Sequence, residues 1–143
     1  MSRRAIISLY AICLLTGCSP AVDTDAHPMI TAYSDAYNAK DLESMQALMH
    51  PDIEWLSIVG NDIELAVSGK DALSEAVTSF FEDPNMATGT HEGWSLNGDH
   101  VAVTETAHWT DKEGQARQQS ALTVYQFENN LIRRVYYYPA KID

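Results

Sequence analysis

The stretch Val101–Thr110, VAVTETAHWT, holds the side chain on which most chemistry could turn. Alternate residues of a strand share one face, so Val101, Val103, Glu105, Ala107 and Trp109 stand in one row. Two valines and a tryptophan seek a core, and an ionised carboxylate belongs among them only if it is paired, hydrated or used. Glu105 is therefore a candidate general base or polar anchor for a ligand, its pKa raised by apolar walls. The competing expectation is a structural carboxylate satisfied by Tyr33, Arg117 or water. Across the Asp-Lys-Glu-Gly turn, strand parity brings Arg117 and Gln119 beside Glu105 or Trp109, so an ion pair at that end is a third expectation.

The other reactive side chains are scattered. His27, His50, His91, His100 and His108 form no pair at metal-ligand spacing, and neither a metal site nor a cofactor is expected. His108 alternates away from Glu105 and His100 adjoins a turn, which assigns both to the surface or to a dimer face. His91 could approach the cavity from the strand before Val101, but parity places it opposite Trp94, which speaks against a role there. The chain contains no nucleophile elbow, phosphate loop or dinucleotide fingerprint.

The first residues belong to export rather than to a fold. MSRRAIISLYAICLLTGCSP opens on Arg3 and Arg4, runs through apolar Ala5 to Leu15 and closes on small residues, the pattern of a secretory signal peptide. Leu15-Thr16-Gly17-Cys18 resembles a bacterial lipobox. The resemblance implies cleavage before Cys18 and lipid on its sulfur, with residues 1–17 removed and 18–26 serving as a tether. Ser19 at the next position implies sorting to the outer membrane, on its periplasmic face. With Cys13 removed and Cys18 lipidated, residues 27–143 form a domain held by its core and no disulfide. Loss of Arg3 and Arg4 leaves 7 basic against 20 acidic residues, a net charge of −13. Nucleic acid, which is bound through clustered Lys and Arg, is excluded as a partner.

The elements that must position Glu105 follow from periodicity. Met29, Ile30, Tyr33, Ala36 and Tyr37 form an apolar helical stripe behind Pro28, with Asp25 as its expected cap. Asp41 caps a second helix with Leu42, Met45, Leu48 and Met49 on one face, ending at Pro51. DIEWLSIVG reads as a strand. Ser68 and Asp71 suggest a capping box for a third helix that buries Leu73, Val77, Phe80 and Phe81. From Ala87 onward, turns at Asn97-Gly98, Asp111–Gly114 and Glu128–Asn130 divide the chain into a four-strand meander. Its third strand is apolar on both faces, with Leu122 and Val124 opposite Thr123 and Tyr125. One face of the sheet then needs a second cover, and another copy of the chain supplies it most simply, as a homodimer.

Helix, helix, strand, helix and meander is the order of the nuclear transport factor 2-like cone fold. AYNAKDLESMQALMHPDIEW, VSGKDAL and NGDHVAV resemble the corresponding segments of its SnoaL-like and ketosteroid-isomerase-like members over about Ala26 to Pro139. The resemblance implies an α+β fold, a cone-shaped curved antiparallel sheet packed against three N-terminal helices. It places the isomerase tyrosine on Tyr33 but the general-base aspartate on Ser57 and the second oxyanion acid near Thr123, so steroid isomerisation by that mechanism is not expected. It also implies that Val103, Glu105 and Trp109 line the cone with Ile53, Trp55, Ser57, Thr123, Tyr125, Val135 and Tyr137, with Arg117 at the mouth. An aromatic cavity with a few hydroxyls suits a small, mostly apolar ligand. The alternatives are an acid–base enzyme of isomerase, cyclase or dehydratase type using Glu105 and Tyr33, and an envelope accessory protein whose pocket is collapsed by its own aromatics.

Overall fold

A computed structural model describes residues 26–141. Helix α1 (Pro28–Asn38) begins with Pro28 in its first turn, where a missing N–H costs nothing, and buries Ile30, Tyr33 and Ala36. Among the described residues no side chain caps it, and Asp25, like the leader and Cys18, lies outside them. Helix α2 (Leu42–Leu48) is capped as expected, the Ser44 amide donating to Asp41 Oδ1 at 3.1 Å. It ends before Pro51, because Met49 already starts strand β1 (Met49–Val59). The chain then turns at Gly60 (φ 62°) into β2 (Asp62–Ser68), a strand that the sequence pattern did not predict.

Ser68 closes β2, opposite Glu54, so the expected capping box does not form. Helix α3 (Lys70–Phe81) starts from Gly69 at φ 91° with no side-chain cap. It buries Leu73 and Val77, whereas Phe80 is 44% exposed rather than in the core. Strands β3 (Thr88–Asn97), β4 (His100–Thr110), β5 (Ala116–Glu128) and β6 (Leu131–Tyr137) complete the expected meander.

The six strands form one curved, unclosed sheet in the order β2-β1-β6-β5-β4-β3. Neighbours are antiparallel except β1 and β6, which run parallel and make the sheet mixed. Ile30, Met45, Ile53, Leu73, Val101, Val103, Ile132 and Val135 fill the space between helices and sheet, each at most 1% exposed. Seven such apolar side chains contribute stabilisation on the order of 1.5–3 kcal/mol apiece, with methionine comparable. That packed floor holds one end of the cone closed. The other end, beyond Tyr125, stays open. On the convex face Leu56, Ile58, Ile63, Leu65 and Leu122 form an apolar surface beside an ion cluster in which Glu54 accepts from Arg134 Nε at 2.6 Å and Arg133 Nη1 at 3.0 Å.

Candidate functional site

The open end of the cone holds a cavity of about 200 Å³ whose walls come from every layer of the fold. Tyr33 and Tyr37, one helical turn apart, descend from α1. Phe80 arrives from α3, Trp55 from β1, Tyr125 from β5 and Tyr137 from β6. Trp55 meets Tyr137 edge-on, with centroids 5.7 Å apart at 79°, and lies parallel to Phe80 at 6.5 Å. The cavity is thus not collapsed by its aromatics. Its mouth is shaped by Gly89, whose amide donates to Asn38 Oδ1 (2.8 Å) and whose carbonyl accepts from Asn38 Nδ2 (2.9 Å), locking the end of α1 onto β3.

Glu105 projects into this space from β4, its side chain 27% exposed. Tyr125 Oη donates to Glu105 Oε2 at 3.2 Å, and His91 Nε2 lies 3.1 Å from the same oxygen. A carboxylate accepts, so the contact assigns the proton to His91 Nε2. Oε1 makes no hydrogen bond among the described residues. Burial, reinforced by the Glu105 charge, pushes the phenols of Tyr125 and Tyr137 well above their ordinary range, and the same two causes raise Tyr37. Tyr33 is raised too, mainly by burial; the indole N–H of Trp55 favours its phenolate, and the Glu105 charge opposes it. Tyr33 Oη and Trp55 Nε1 are nonetheless sealed from solvent, and neither completes a hydrogen bond among the described residues.

Of the residues expected at the site, Tyr33, Trp55, Glu105, Tyr125 and Tyr137 border the cavity and the others do not. Val103, Thr123 and Val135 point the same way but lie 0% exposed in the floor, beneath the helices. Ser57 sits one strand pair past Trp55, opposite Tyr137, beyond the wall. Trp109 lies past Ala107 toward the Asp111–Gly114 turn and borders surface grooves instead. Arg117 pairs with Trp109 in register, and its Nε donates to Asp111 Oδ2 at 2.7 Å within the same hairpin, so no ion pair with Glu105 forms. Tyr33 likewise makes no hydrogen bond to Glu105.

His91 is the principal correction. It faces Glu105 directly in the β3–β4 register, with its side chain 7% exposed. Between Glu92 and Ser95 the register shifts around Gly93 (φ 66°), and this bulge places His91 and Trp94 on one side, with ring centroids 5.6 Å apart. An isolated glycine within a strand is the signal for such a bulge. Tyr37 was detectable from its helical spacing to Tyr33. Phe80 was not, since its stripe on α3 also fits a core.

The fold and this cavity define a nuclear transport factor 2-like protein of α+β class, with three helices over a curved mixed sheet. The chain belongs to the SnoaL-like domain family, whose model matches residues 30–135. Among solved structures, an NTF2-like protein of unknown function from Cytophaga hutchinsonii is similar at 23% identity, over 79% of this chain and 96% of its own, with a TM-score of 0.59. A Mycobacterium tuberculosis protein in complex with estradiol-17beta-hemisuccinate shares 20% identity over 80% of this chain and 95% of its own, with a TM-score of 0.63. A candidate polyketide cyclase from Xanthomonas campestris shares 18% identity over 77% and 94%, with a TM-score of 0.57. Comparison of the sequence with curated proteins gives no match.

Proposed function

We propose that this SnoaL-like protein binds a small, mostly apolar ligand in its cone cavity, anchored by lipid on Cys18 at the periplasmic face of the outer membrane. The observation that carries the ligand reading is the open cavity itself. Six aromatic side chains wall about 200 Å³ while the polar atoms of Tyr33 and Trp55 are sealed away, leaving a mostly apolar surface on which Glu105 is the one carboxylate, with Ser34, Thr88 and His91 as further polar groups. Such a site holds an apolar body and orients one polar group. The estradiol-derived ligand of the Mycobacterium tuberculosis relative is in keeping with an apolar occupant. The exposed Ile63, Leu65 and Leu122 on the convex face support homodimerisation through the sheet.

A second reading, acid–base catalysis, draws on the 3.1 Å contact of His91 with Glu105, which pairs a proton acceptor with a proton carrier beside the cavity. It replaces Tyr33 with His91 as the partner of Glu105.

Native mass spectrometry of the full-length protein extracted from its own membrane tests the binding reading, with Ala107→Phe as the control that fills the cavity. The expected result is a retained small molecule on the wild type and none on the variant. Equal retention by both, or a hydrophobic fluorophore that binds both equally, would remove the cavity as the site.

A further inference from the structure

The geometry points to an ammonium-bearing ligand: the rings of Tyr33, Tyr37, Trp55, Phe80, Tyr125 and Tyr137 form a cage that takes an alkylated ammonium group against the free Oε1 of Glu105. This rests on the reading of the cavity as a ligand site and names the chemistry of the polar group.

The quadrupole of an aromatic ring presents negative potential from its face, and several rings around one small volume attract a cation that a single ring holds weakly. Trp55 and Tyr137, near a right angle, form adjoining walls, with Phe80 parallel to Trp55. Because Tyr33 Oη and Trp55 Nε1 have no accessible surface, what these residues offer an occupant is carbon. A neutral apolar guest would be satisfied by such walls alone, but it would offer nothing to the Glu105 carboxylate beyond the Tyr125 and His91 contacts it already has.

Charge decides between the two guests. Among the described residues no lysine or arginine lines the cavity, and Arg117 is engaged with Asp111 outside it. His91 meets Glu105 at Oε2, as does Tyr125, so both partners share one oxygen and Oε1 makes no hydrogen bond among the described residues. The Glu105 charge acts on the phenols of Tyr33, Tyr37, Tyr125 and Tyr137, four of the six rings. An anionic guest would meet Glu105 in a poorly solvated space and be repelled. The formal net charge of −11 on the chain adds a long-range field that draws cations and disfavours anions. The alkyl groups on the nitrogen matter as well. They spread the charge and present carbon to the aromatic faces, where each N–H group would need an acceptor of its own.

Three probes of one shape separate the possibilities: choline, its uncharged carbon isostere 3,3-dimethylbutan-1-ol, and the anion 3,3-dimethylbutanoate, each titrated calorimetrically into the full-length protein in mild detergent. Choline should bind about tenfold or more tightly than the alcohol, and the anion more weakly than either. Glu105→Gln should weaken choline several-fold and leave only the smaller preference over the alcohol that the rings supply, while alcohol binding stays within about twofold, since the amide keeps the shape and loses the charge. Alcohol binding as tight as choline to the wild type would overturn the cage while leaving the cavity reading intact. Preference for the anion would overturn its sign. Failure of all three to bind would remove both readings together. The wild-type ranking decides the matter even if Glu105→Gln is poorly folded.

Discussion

Replacing Glu105 by Leu tests whether the carboxylate also holds the cone together. Tyr125 is 2% exposed and donates its only hydroxyl proton to Glu105 Oε2 at 3.2 Å, and the His91 side chain, 7% exposed, uses the same oxygen at 3.1 Å. Leucine orphans both donors. A buried donor without a partner costs about 1–3 kcal/mol, and hydrogen bonds to a charged acceptor are worth about 1.5–3 kcal/mol. Water admitted by the cavity beside Glu105 offsets part of this, and so does relief of the desolvated charge. We therefore expect Glu105→Leu to lose about 2 kcal/mol, and Tyr125→Phe, which removes one donor from a carboxylate that keeps His91, about 1 kcal/mol. In the double variant the hydroxyl that leucine orphaned is gone, so the loss should fall short of the summed single losses by about 1 kcal/mol. Urea titrations with unchanged slope supply the free energies, and each kcal/mol should appear as a shift of roughly 4 °C in Tm. Glu105→Gln, which keeps an acceptor, should stay within about 1 kcal/mol of the wild type. Additivity of the two single losses within about 0.3 kcal/mol would refute the idea that the Tyr125–Glu105 bond is what positions the carboxylate.

Two further outcomes follow from the convex face and the leader. Arg134 and Arg133 hold the Glu54 carboxyl below its ordinary value near 4.5, so its stabilisation is present above that pH and is lost as pH falls through the lower folded value; Glu54→Gln should melt below the wild type at pH 7, and the gap should close in acid. A gap of constant size across that titration would show that charge is not its source. Cys18→Ser should leave an unprocessed precursor without lipid, read as intact mass and detergent partitioning, and equal unlipidated mature masses for both proteins would dismiss the lipobox.

The legible part of the molecule was the part governed by strong local patterns. Tyr33 and Ala36 repeat with a helical period, Asp41 offers its carboxylate to the Ser44 amide, and the row through Glu105 alternates without interruption, so α1, α2 and the inward face of β4 could be read from residue order. Strand β2 escaped because it lies at the sheet edge with all its residues but Val67 exposed, which leaves burial little period to impress; the Gly60-Asn61 pair between two apolar runs was its one local mark. His91 escaped for a different reason. Parity propagates along a strand only while the ladder is unbroken, and the Gly93 bulge reverses it for everything on the far side. The division of inward residues into floor and wall belongs wholly to the tertiary structure: Val103 and Thr123 share their face with Glu105 and Tyr125, yet both are fully buried in the core while Glu105 and Tyr125 border the cavity. Residue order determines which way a side chain points from its strand. What it meets there is decided by the distance to elements remote in sequence, and so Arg117, with the parity for the mouth, turned to Asp111 in its own hairpin while Glu105, bordering the cavity, took its partners from Tyr125 and His91.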